Sequence, residues 1–208
     1  MHGLIPVPKR LDGYGHLRRL FVRHLFLSLI ILVPGTVVGQ SAFSRITISG
    51  GADATIHSPR LLPDWKPGRG GHLSVSTPFY FGEAEAGAAF HRYDAQTTDV
   101  PRFDALMAFV GWGVRLAPAE SFSWYNGMRV GSYRMAFDEE TFPGIRNESE
   151  LSIGLQTRID VHLTPALNVY IAGRYNRTYT APRLDLAYLS GGLAISLESP
   201  EWLVTLLR

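Results

Sequence analysis

The stretch ELSIGLQTRIDVHL, Glu150 to Leu163, alternates without a fault. Leu151, Ile153, Leu155, Thr157, Ile159, Val161 and Leu163 fall on one side of an extended chain. Glu150, Ser152, Gly154, Gln156, Arg158, Asp160 and His162 fall on the other. Side chains of a strand point to opposite faces in turn, so this pattern specifies one oily face and one polar face. A helix would smear both sets around its surface. What remains open is which face is the inside. In a soluble sheet it is the oily one; in a transmembrane barrel the oily face is the outside.

Seven further segments read as strands: 45–57, 72–81, 83–93, 103–116, 121–137, 167–179 and 184–197. The first sets Ile46, Ile48, Ala52, Ala54 and Ile56 against Thr47, Ser49, Asp53, Thr55 and His57. The second sets Leu73, Val75, Phe79 and Phe81 against His72, Ser74, Ser76 and Tyr80. The fourth, FDALMAFVGWGVRL, is apolar on both faces and is ambiguous alone. The links alternate in length. SPRLLPDWKPGRGG, DAQTTDVPR and DEETFPGIRN are long; the link at Gly82, APAE and TPA are short; the last, TAPR, is also short and breaks the alternation. Short turns on one side and longer loops on the other are a property of outer-membrane barrels.

Charge supports placing the oily face outside. A soluble barrel would be coated in Lys and Glu, yet after residue 39 there is a single lysine, Lys66, in a link. The polar faces carry Gly, Ser, Thr and Tyr with sparse charges of both signs: Glu83, Glu85, Arg129, Glu150, Arg158, Asp160, His162 and Arg174. Such a set suits the cramped interior of an eight-stranded barrel, where each charge needs a partner. These eight residues are the expected interior charge network. A gate or narrow polar pore is one use for it. A structural plug of salt bridges is the other, and is the reading adopted. Aromatics at Phe79, Phe81, Phe122 and Trp124 near the short turns, and Tyr175 and Tyr179 toward the long loops, fall where interface girdles belong.

The pI near 9 is a local effect. Residues 1–39 hold five of the 20 Lys and Arg (Lys9, Arg10, Arg18, Arg19, Arg23) and one of the 18 acids, Asp12, so the rest is slightly acidic. That removes the argument for a nucleic-acid partner. The basic start, the apolar segment Leu25 to Val33 and the small residues Val37 and Gly39 read as a secretory signal cleaved between Gly39 and Gln40. The apolar segment is far short of the ~20 residues a spanning helix needs. The absence of cysteine excludes a lipoprotein anchor, disulfides and a thiol nucleophile.

The chain resembles the small eight-stranded outer-membrane barrels, such as the OmpA membrane domain and OmpW-like proteins, over about residues 44–197. The resemblance lies in architecture rather than in a diagnostic motif. One local feature is sharper: the last strand, SGGLAISL, fits the signal that barrel-assembly machinery reads, with Ser190, Gly192, Ile195 and Leu197 in its polar, glycine and hydrophobic positions. The chain departs from the family in the tail ESPEWLVTLLR, where Trp202, Leu203, Leu206 and Leu207 suit an amphipathic turn at the inner interface. The resemblance implies an all-β fold, a single antiparallel up-and-down transmembrane barrel of eight strands. It implies domains 1–39 (signal), 40–197 (barrel) and 198–208 (periplasmic or interfacial tail), and both termini in the periplasm. The implied partners are outer-membrane lipid, lipopolysaccharide and the assembly machinery; no extracellular partner can be named.

No residue set calls for a cofactor or metal: the histidines are dispersed, with no HExxH spacing. Lipid A deacylases of similar layout need a His-x-Ser pair, because serine must lose a proton to histidine. Here RYNRTYT places Asn176 and Thr178 at the comparable positions. His72 and Ser74 have the right spacing, but both point into the barrel, and interior polarity accounts for them. The function expected is a non-enzymatic structural or surface-interaction role. The alternatives are a lipid A-modifying enzyme and a soluble lipocalin-like carrier of apolar ligands.

Overall fold

Each alternating segment forms a strand. The computed structural model describes residues 42–138, 147–181 and 183–206. The strands are β1 (Arg45–His57), β2 (Trp65–Phe79), β3 (Gly82–Ala95), β4 (Phe103–Ala119), β5 (Phe122–Phe137), β6 (Glu148–His162), β7 (Leu167–Thr178) and β8 (Leu184–Glu198). A short helix, α1 (Glu201–Leu206), follows. Each strand pairs antiparallel with its neighbours in sequence, and β1 closes on β8, for example Ser49 opposite Ala194. Closure leaves no free edge.

The oily face is outside. Leu155 is 48% exposed and the next residue, Gln156, is 5% exposed; the same alternation runs through Leu151, Ile159 and Val161 against Ser152, Arg158 and Asp160. β4, apolar on both sides, is settled by its neighbours. It turns Phe103, Ala105, Met107 and Phe109 inward and Leu106, Val110 and Trp112 outward.

One end of the barrel carries the connections 80–81, 120–121 and 163–166; the other carries 58–64, 96–102, 138–147 and 179–183, and both described chain ends lie at the first. These are the short-turn and long-loop ends below. The link TAPR falls at the long-loop end, because an up-and-down path leaves it no other place.

Two sequence expectations need correction. β2 begins at Trp65, so WKPGRGG belongs to a strand and the loop before it is only 58–64. Pairing slips between Pro67 opposite Tyr93 and Gly70 opposite His91, which adds one residue on β2. That bulge accommodates a proline that has no N–H to give the ladder. Tyr80, expected on the polar face of β2, instead begins the two-residue turn with Phe81. Its φ of 55° is the positive value such tight hairpins require. Its ring packs edge-on against Phe79, with centroids 4.5 Å apart.

Interior space is tight where β8 meets β1. Gly51 lies opposite Gly192. A Cβ on Gly192 would run into the Gly50 carbonyl and Gly51 Cα, and would come 2.8 Å from the Tyr170 hydroxyl. The glycine of SGGLAISL is therefore required by packing at this closure. Ser190 of the same segment is buried, and Ile195 and Leu197 face outward. Trp202 of α1 is exposed; the side chains of Leu203, Leu206 and Leu207, and the whole of residues 1–39, lie outside the described residues.

Candidate functional site

The barrel interior is built in two halves of different chemistry. In the short-turn half, arginines on β4 and β6 meet carboxylates on β3 and β6. β6 contributes Arg158 and Asp160, two residues apart and so on one face. Asp160, fully buried, is shared: one oxygen accepts from Arg158 Nε at 2.8 Å and the other from Arg115 Nη1 at 2.6 Å. Arg115 also grips Glu83 with two parallel bonds of 2.5 and 3.0 Å, and reaches Ser123 Oγ at 3.0 Å. Arg158 donates to Ser49 Oγ at 2.8 Å and lies 3.8 Å over the Tyr170 ring. A guanidinium has five donors in a planar fork, so one arginine can satisfy two carboxylates and a hydroxyl together.

A second layer lies toward the middle. Arg129 makes a two-bond pair with Glu85 (2.7 and 3.1 Å) and covers the Phe109 ring at 4.0 Å. Asp53 Oδ1 accepts from Arg174 Nη1 at 2.9 Å and is 2.7 Å from His72 Nδ1; His91 Nε2 stands 3.3 Å from Oδ2. Arg174 Nε also donates to Gln156 Oε1 at 3.1 Å. The other imidazole nitrogen of His72 is engaged by the Tyr170 hydroxyl. If Nδ1 carries the proton given to Asp53, Nε2 accepts from the phenol. These contacts join β1, β2, β3, β6 and β7 across the lumen.

The long-loop half is closed by rings. Tyr93, Phe103, Tyr133, Leu186 and Tyr188 are all at most 3% exposed and form one cluster with Met107, Phe109 and Met135. Tyr93 stacks on Phe103 with centroids 4.8 Å apart, and its hydroxyl is bonded to Thr55 Oγ1 at 3.1 Å. Leu61, from the 58–64 loop, is 2% exposed and caps this cluster. The loop is held over the mouth by its neighbours. Trp65 Nε1 donates to the Pro101 carbonyl at 2.7 Å, Gln96 Nε2 to the Leu62 carbonyl at 2.7 Å, and Arg60 to the Arg183 carbonyl at 3.1 Å. The salt-bridged interior expected from the sequence thus occupies one half of the lumen, and aromatic packing fills the other. The apolar inward face of β4 had no polar partner set to join.

Of the eight residues expected in the charge network, Glu83, Glu85, Arg129, Arg158, Asp160 and Arg174 stand in ion pairs. Glu150 and His162 do not. Glu150 sits half-buried toward the long-loop mouth, and His162 lies at the opposite end, bonded to Asn168 Oδ1 at 2.7 Å. Parity puts both on the inward face, but their heights take them past the charged layers. Asp53 and Arg115 are central and were not singled out. The signal for Asp53 was present, since it shares the polar face of β1 with Ser49; Arg115 lies in a segment apolar on both faces. His72 and Ser74 are both buried, and both nitrogens of His72 are spent on Asp53 and Tyr170. Beneath the first charged layer, a cavity of about 360 Å³ opens at the short-turn mouth between Arg45, Arg115, Asp160 and His162.

No protein-family model matches the chain, and no curated protein matches its sequence. Solved structures do match. The Neisserial surface protein A shares 16% identity and a TM-score of 0.51, covering 75% of this chain and 99% of that one. Ail, the attachment invasion locus protein of Yersinia pestis, in complex with the heparin analogue sucrose octasulfate, gives 15% and 0.52 over 76% and 100%. OprG of Pseudomonas aeruginosa gives 12% and 0.53 over 77% and 99%. The fold is that of the small eight-stranded outer-membrane barrels. Three-quarters of this chain spans nearly the whole of each such barrel, which at identities this low establishes the architecture alone.

Proposed function

We propose that the protein is an integral outer-membrane barrel that does not conduct, whose task is structural or lies in what its long-loop end meets outside the cell. The observation that carries this is the lumen. Paired charges bridge the lumen in one half, above the cavity at the short-turn mouth, and packed rings at most 3% exposed close it in the other. Exposed leucines, isoleucines and valines supply most of the lipid-facing band, and a closed barrel satisfies every backbone group in lipid. In this reading residues 1–39 are removed on export, both termini are periplasmic, and the long loops face outward. The assembly machinery reads the segment from Ser190 to Leu197, and the surrounding lipid includes lipopolysaccharide. His72 has no free nitrogen to activate a serine, which supports a non-enzymatic role. Ail, with its bound heparin analogue, illustrates a barrel of this size whose role lies at the surface.

The decisive test is electrical and topological together. The purified barrel in a planar bilayer is expected to give no steady conductance. A protease added to intact cells is expected to cut only in the long-loop links 58–64, 96–102, 139–146 or 179–183 until lysis. A stable ohmic current would overturn the sealed-lumen reading; cleavage seen only after lysis would reverse the orientation.

A further inference from the structure

The outer wall differs between its ends in a way the lipid-facing role alone does not require. At the short-turn end it carries rings: Phe81 packs on Trp112 with centroids 4.9 Å apart, and Trp124 donates to Thr157 Oγ1 at 2.7 Å. At the long-loop end it carries arginines. Arg92 on β3 and Asp104 on β4 face each other in register and form two bonds of 2.9 and 3.1 Å while remaining 53% and 41% exposed. Arg102, 62% exposed, pairs with Asp138 at 3.0 Å. Between these pairs lies a cleft of about 410 Å³, bordered also by Phe103, Ala136 and Phe137. Arg134 on β5 is exposed, one outward row nearer the apolar band. Its register partner is Leu106, which in turn faces Phe90, and no described residue offers it a carboxylate.

The placement has a chemical consequence. A guanidinium directly above a hydrocarbon band stands at the height of lipid headgroups. Exposed pairs such as Arg92–Asp104 are weak, because water screens them, so a carboxylate there holds the arginine in place without saturating it. Arg92 uses Nε and Nη2 and keeps Nη1. Phosphate oxygens form short charge-assisted bonds with such forks.

We propose that this cleft, with Arg134 beside it, binds the phosphate of an anionic lipid in the leaflet at the long-loop end. The inference rests on the membrane reading above and adds the residues and the chemical class. In an outer membrane, the lipid it would take is a phosphorylated glycolipid.

The test uses the full barrel refolded into phosphatidylcholine vesicles with and without one-fifth phosphatidic acid, a lipid whose headgroup is phosphate alone. Retained lipid is counted by native mass spectrometry. The expected result is selective retention of phosphatidic acid, reduced on the order of tenfold (about 1.4 kcal/mol) in R92Q/R134Q and restored in part by R92K/R134K. R177Q, which removes a similarly exposed pair (Arg177–Asp185, 2.8 Å) on β7 and β8 that borders no such cleft, is expected to leave it unchanged. Equal retention of both lipids, or equal retention by wild type and R92Q/R134Q, overturns the proposal. Displacement of the lipid by millimolar inorganic phosphate also overturns it, since the cleft is then a general anion patch. Quenching of Trp112 and Trp124 by brominated acyl chains reports insertion separately. A barrel that inserts without headgroup selectivity sinks the cleft alone; one that does not insert sinks the membrane reading.

Discussion

The two halves of the lumen are lined by the same eight strands and close the same tube, yet they do it with opposite chemistry. At Asp160 the seal depends on stoichiometry: two arginines converge on one fully buried carboxylate, and Arg115 needs Glu83 besides. At Tyr93, Phe103, Tyr133 and Tyr188 it depends on volume and shape. A charged layer fails all at once when a partner is removed, because the remaining ion is left desolvated. A packed layer fails by degrees, according to how far its neighbours collapse into the gap. The difference teaches where the molecule tolerates change.

The largest expected effect breaks the charged half. Asp160→Ala strands Arg158, leaves Arg115 with Glu83 alone, and should cost about 3–5 kcal/mol, read as a lowered urea midpoint of the refolded barrel. Asp160→Ala combined with Arg158→Met should recover part of that loss. If the double variant is as unstable as the single, the layer is held by something other than pairing. Next, the outer wall is set against the inner one at neighbouring positions. Leu155→Arg puts a charge in the lipid band and should cost about 2–4 kcal/mol. A fluorophore on a cysteine at 155 should be quenched by lipid-borne quenchers, and one at 156 should not. Reversed quenching would put the charges of β6 on the outside and invert the fold reading.

The aromatic half should respond more mildly at its lid. Leu61→Ala empties a site capped by a loop that can settle, so the low end of the usual range, about 2 kcal/mol, is expected. If it matches Asp160→Ala, the two halves do not differ as argued. The smallest effect is at the exposed rim. Arg92→Gln should shift stability only slightly, and 1 M salt should erase the difference from wild type, since exposed pairs are screened. The penalty of Asp160→Ala should persist in the same salt. Equal salt sensitivity at the two sites would mean that water reaches Asp160.

Much of this was legible in the chain. The alternation of β6 put Leu155 out and Gln156 in, and the spacing of links placed the short turns. What was missed has a consistent cause. WKPGRGG in β2 reads as a loop because proline and glycine disfavour strands, but pairing with β3 and a bulge at Pro67 hold it extended. Arg115 was passed over because its segment is apolar on both faces and so shows no alternation to read. Glu150 and His162 were included because parity alone reports a face and not a height.

That last distinction divides what the chain determines by itself from what only its folding decides. Period-two patterning is a local property, set by the geometry of successive residues, and it divides the side chains of each alternating strand between two faces before any strand has found its neighbour. Which lumen residues meet is not local. Asp53, His72, His91 and Arg174 come from four strands. Arg158 reaches Ser49 from across the sequence. Those meetings depend on the stagger adopted when β1 closes on β8, where Gly51 and Gly192 let the backbones approach. A shift of stagger by two residues would keep every side chain on its face and give each charge a different partner.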